Sequence, residues 1–212
     1  PPAPTVTGPA IANPTPAARA AGVEVARLLN SEALTLGQSR KMFDESMPKV
    51  LGADPNFRIA ETAYPGVTAA VITAMRPVVE KAAIARLPDL WTRLGAVYSG
   101  AFTEAELGSL LTFYRSPTGE WMITQVMEGT DMINLLAKGV ADPDAKIEGK
   151  DLTDAVTKPG IARIAGSMTP ERARELMRFS TGPVGRKLVP LNPILLKTAA
   201  DWANAPSPEF DK

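Results

Sequence analysis

The chain has 212 residues, enough to bury a sizeable core, and 23 Lys+Arg against 23 Asp+Glu, a formal net charge of zero. That balance argues against a nucleic-acid partner, which needs a dense basic face. With no cysteine and no histidine, disulfides, thiol chemistry, the commonest general base and the usual zinc ligands are excluded, and no apolar run is long enough to cross a bilayer.

Residues 1–16 hold six prolines among small residues and predict a flexible arm outside the core. The first residue is proline rather than methionine, so a processed or trimmed chain with no signal peptide in it is expected. Thr15-Pro16 supplies a cap and a first-turn proline for a helix over 17–29, with Val23, Ala26 and Leu29 along one stripe. A second helix is predicted over 37–51, interrupted at Pro48, and a short one over 57–64. Residues 67–86 predict a long helix kinked near Pro77 and ended by Leu87-Pro88-Asp89. A further helix over 90–99 places Leu90, Trp91, Leu94, Val97 and Tyr98 on one side.

The next segment is written twice. Residues 102–122 and 168–188 align without a gap at an offset of 66, with identities at Thr103/Thr169, Leu110/Leu176, Phe113/Phe179, Pro117/Pro183 and Gly119/Gly185. In the first copy Thr103 and Glu106 form a capping box, Phe102 and Leu107 a hydrophobic staple, and Ser116-Pro117 starts a new helix over 121–136. The second copy caps with Thr169-Pro170 but has Arg172 at the box position, and Pro190 and Pro193 are expected to cut its outgoing helix short. Between the copies, 139–153 is polar and turn-rich, and 152–165 predicts a weak helix broken at Pro159-Gly160. The expected fold is all-α: an irregular helical bundle with a repeated helix–Pro-x-Gly–helix unit. It occupies residues 17–203 as a single domain, with repeat units over about 102–136 and 168–202 and a flexible tail over 204–212.

The pattern Leu94-x-x-Val97-Tyr98-x-x-x-Phe102-Thr103-x-x-Glu106-Leu107-x-x-Leu110-x-x-Phe113-Tyr114-x-Ser116-Pro117-x-Gly119 resembles the bacterial family of unknown function numbered 2059, over about residues 88–130. The segment 168–188 looks like a degenerate second copy, departing at Ser180 and Gly182. The resemblance implies an all-helical fold and export, periplasmic or otherwise, and it brings no catalytic residues.

Candidate chemistry is sparse. Asp142, Asp144, Glu148, Asp151 and Asp154 crowd one connector, but Lys146, Ile147 and Thr153 fall where a calcium loop needs a ligand, a glycine and an acid. Glu106 has a cap to serve, and Glu104 lies in a first turn that favours negative charge anyway. No phosphate-binding glycine spacing follows a strand. Trp91, Tyr98, Tyr114 and Trp121 have two readings: core side chains where helices meet around Pro117, or the lining of a groove for a partner or an apolar ligand. Tyr114 and Trp121 are singled out because the second copy replaces them with Ser180 and Lys187. The expectation is a non-enzymatic exported protein that binds another envelope protein or supports envelope assembly, without cofactor or metal. The alternatives are a carrier of a small apolar ligand or lipid, and an unrecognised hydrolase.

Overall fold

The computed structural model describes residues 11–142 and 144–206, so most of the expected N-terminal arm (1–10) and of the tail (207–212) lies outside the described residues. Among the described residues there is no strand. Helix α1 (Pro16–Leu29) starts where Thr15 Oγ1 accepts the Ala18 N–H at 3.0 Å. Helix α2 (Glu32–Lys41) passes through a π-helical turn (Met42–Ser46) into α3 (Met47–Ala53), and α4 (Pro55–Ala63) is capped by Asp54. Gly66, at φ 92°, makes the reversal into α5 (Val67–Ala101), a conformation an L side chain would strain. Then come α6 (Glu104–Tyr114), α7 (Pro117–Gly129), α8 (Ile133–Ala141) and α9 (Gly149–Leu152). A second π-helical turn (Thr153–Thr157) leads into α10 (Lys158–Gly166), followed by α11 (Pro170–Thr181) and α12 (Pro183–Ala203).

Several breaks expected at prolines do not occur. Helix α5 runs 35 residues through both Pro77 and Pro88, and α12 runs 21 residues through Pro190 and Pro193. An interior proline removes one backbone bond and crowds the carbonyl four residues back, costing about 3 kcal/mol. Around Pro88, buried Leu87, Leu90 and Leu94 offset that, since each buried leucine is worth about 1.5–3 kcal/mol; Leu191 is buried likewise beside Pro190. Pro48 and Pro159 are accommodated by another device. The residue before each, Met47 and Lys158, donates its N–H five residues back, to Met42 and Thr153, and this widened turn relieves the crowding. Helix α7, by contrast, stops at Gly129 rather than running on to Leu136; Thr130 caps it and α8 starts afresh.

The main core gathers α1, the C-terminal half of α5, α6 and α12 around Val25, Leu94, Phe102, Leu107, Leu110 and Leu191. Helix α1 lies against α5 at a glycine crossing: a β-carbon on Gly22 would sit 3.2 Å from the Ser99 nitrogen, and one on Gly95 2.9 Å from Val23 Cα. A smaller second core of Phe43, Met47, Leu51 and Ile72 joins α3 and its preceding π turn to the N-terminal half of α5.

Candidate functional site

The two copies of the repeated segment build the same local structure. Ser116 and Gly182 both sit in extended backbone (φ/ψ −73°/158° and −69°/165°) and turn the chain into Pro117 and Pro183. Two residues on, a β-carbon on Gly119 would lie 2.7 Å from Tyr114 Cα and 2.9 Å from the Phe113 carbonyl carbon. On Gly185 it would lie 2.7 Å from Ser180 Cα and 2.9 Å from the Phe179 carbonyl carbon. Only glycine lets the outgoing helix start this close to the end of the incoming one.

The hairpins meet each other through equivalent residues. Phe113 stacks on its own counterpart Phe179, with centroids 3.7 Å apart and planes at 4°. Across this stack Glu106 Oε1 accepts from Lys187 Nζ at 2.6 Å, and the counterpart pair is Arg172 over the Trp121 ring at 4.5 Å. Reciprocal contacts between equivalent positions are the mark of a two-fold relation. The relation reaches upstream of the repeat: α10 packs on α7 as α5 packs on α12. It is imperfect at Thr118, whose Oγ1 donates to Glu175 while the counterparts are Val184 and Ser109.

The expected site residues fall into two groups. Tyr98 and Tyr114 are buried in the main core. Desolvation by burial pushes the Tyr114 phenol up to about 12 and the Tyr98 phenol higher still. Tyr114 meets Phe113 and Phe179 edge-on at 5.5 and 6.3 Å. Trp91 and Trp121 are half-buried. Trp91 donates from Nε1 to the Asn30 carbonyl at 2.8 Å, tying the end of α1 to α5, and Trp121 lies under Arg172. Leu110, like Phe113, is buried, whereas Leu176 and Phe179 are half-buried. Thr103 and Glu106 complete the capping box: the Thr103 N–H donates to the Glu106 carboxylate at 2.9 Å and the Glu106 N–H to Thr103 Oγ1 at 3.3 Å. Thr169 caps α11 by accepting the Arg172 N–H at 3.3 Å.

The acidic connector is tied internally. Asp151 accepts from Lys138 Nζ at 2.7 Å and from the Glu148 N–H at 2.9 Å. Hydrogen bonds from Lys150, then Lys158, hold the Asp154 carboxyl down at about 2. Among the described residues no group of three or more Asp or Glu is placed to hold a metal ion, and no helix is long and apolar enough to cross a membrane. A groove of about 680 Å³ between α2 and the α7/α10 pair is open and lined by both signs of charge, with Lys41 donating to the Thr130 carbonyl at its edge. A groove of about 490 Å³ lies beside Phe113, under Gly108, Ser109 and Thr112.

Two residues that sequence reasoning passed over stand out on the surface: Ile161 and Met177, 60% and 67% exposed. At the same offset of 66 their counterparts are Gly95 and Leu111, so carrying the repeat upstream through 92–101 and 158–167 would have marked them.

Residues 89–128 match the family described as an uncharacterized protein conserved in bacteria, the domain of unknown function 2059. The match covers the end of α5, α6 and most of α7. No curated protein and no solved structure matches the chain.

Proposed function

We propose that this chain is a non-enzymatic, exported bacterial protein, with residues 17–203 forming one helical domain, that works in the cell envelope by binding another protein. One observation carries the reading: Ile161 and Met177 are 60% and 67% exposed, whereas their counterparts in the first copy, Gly95 and Leu111, are buried. Glu106, Asp151 and Asp154 are meanwhile occupied in caps and ion pairs. Export and envelope location rest on the resemblance of residues 89–128 to a bacterial family. The test is affinity purification of the tagged full chain from native envelopes. The expected result is one or a few proteins recovered in stoichiometric amount over a tag-only control. A preparation that yields no protein but carries lipid in native mass spectra would overturn the reading in favour of a carrier.

A further inference from the structure

The two-fold relation between the hairpins is also broken where α1 lies, and that break identifies a surface. In the first unit, α1 lies across α5 and α6 and meets Gly95 and Ser99 directly; Gly95, Ser99, Leu107, Leu111 and Tyr114 are all buried. Among the described residues no helix lies across the second unit in this way. Its counterparts are Ile161, Ala165, Ala173, Met177 and Ser180, and all but half-buried Ala173 are exposed. The contrast is sharpest at Leu111, 8% exposed, against Met177, 67% exposed. Side chains here change as a seat for a different helix would require: Gly95 admits the close approach of Gly22, whereas Ile161 projects and holds an incoming helix further off.

Charge says what that helix carries. In the first unit Arg115, four residues after Leu111, forms an ion pair with Glu24 of α1. In the second unit the counterpart of Arg115 is Thr181, and the cations beside the exposed stripe are Arg174, one turn before Met177, and Arg178, directly after it. Arg174 is held by a long 3.9 Å contact to Glu171 between two exposed side chains, a weak tie in water.

We infer that the face of α10 and α11 around Ile161 and Met177 is a docking seat for an amphipathic helix of a partner protein, with an apolar stripe and a carboxylate on the flank facing Arg174 and Arg178. The inference rests on the protein-binding function proposed above and names its site. Occupancy would complete the two-fold arrangement, placing a partner helix on the second unit as α1 lies on the first.

The probe is a fluorescein-labelled peptide of residues 15–30, which carries the α1 stripe and Glu24, titrated into the full chain and read by anisotropy. Saturable binding is expected, weakened about tenfold or more by Met177→Glu or Ile161→Glu. Both positions are exposed, so unchanged thermal melts should show that the variants remain folded. Glu24→Lys in the peptide should weaken binding, and Arg178→Glu in the protein should restore it. Absence of saturable binding, or binding indifferent to both variants, overturns the seat. Envelope purification with the Ile161→Glu/Met177→Glu double variant separates the two levels. A partner retained by wild type and variant alike overturns the seat and leaves the protein-binding function standing. A partner lost only from the variant supports both, and none from either overturns the function itself.

Discussion

The first and second hairpins share a cap, a Pro-x-Gly turn and a stacked phenylalanine, yet the incoming helix of the first is core and that of the second is largely surface. Helix α6 buries Leu107, Leu110, Leu111, Phe113 and Tyr114, while α11, its counterpart, buries no residue fully. The shared residues account for the turn, whose glycine contacts agree within about a tenth of an ångström. They do not account for burial, which follows from what is laid on top: α1 covers the first unit and nothing among the described residues covers the second. A repeated sequence can thus specify a local shape twice while its two copies serve different ends.

The largest test of this contrast lies at the stack. Phe113→Ala should cost about 3–5 kcal/mol by chemical denaturation, because the ring is buried. Phe179→Ala, removing a half-buried ring, should cost about 2 kcal/mol. Equal losses would mean the second hairpin is as much core as the first. The glycines should behave the other way. Gly119→Ala and Gly185→Ala meet the same backbone atoms at the same distances, so each should cost about 1–3 kcal/mol, and by similar amounts. A loss confined to Gly119 would show that the second turn relaxes where the first cannot. Smaller again, Thr103→Ala and Thr169→Ala should each cost about 1 kcal/mol, with Thr103 the larger because its substitution also disturbs a reciprocal box.

What was legible in the chain follows the same division. Caps and turns depend on a few adjacent residues, so Thr15, Thr103, Ser116 and Thr169 could be read as they stand in the structure. Prolines 88, 190 and 193 misled, because whether a helix survives one depends on burial around it, a tertiary fact absent from a local pattern. Pro48 and Pro159 misled for a related reason, since a π turn of unremarkable sequence absorbs the ring. At the candidate site, the sequence shows Tyr114 replaced by Ser180 in the second copy. Its physical meaning was hidden: Tyr114 is buried where α1 covers the first unit, and Ser180 lies on an open face.

The smallest effect is one of acidity, and it too should separate the copies. Partial desolvation works to raise the Glu106 carboxyl, but hydrogen bonds from Lys187 and Thr103 outweigh it and hold the group below the usual carboxylate range. A carboxyl depressed in the folded state adds stability that is present above its unfolded value, near 4.5, and is lost as pH falls through the lower folded value. Its counterpart in the second copy is Arg172, which has no carboxyl to form the box. Hydrogen exchange in mild acid should therefore show the first turn of α6 opening more readily relative to neutral pH, once intrinsic exchange is corrected for, while the first turn of α11 stays as protected as before. Glu106→Gln should abolish the acid response of α6 alone. A parallel loss at both caps would trace it to general acid loosening of the bundle, and the asymmetry between the two hairpins would then lie in their burial and not in their capping chemistry.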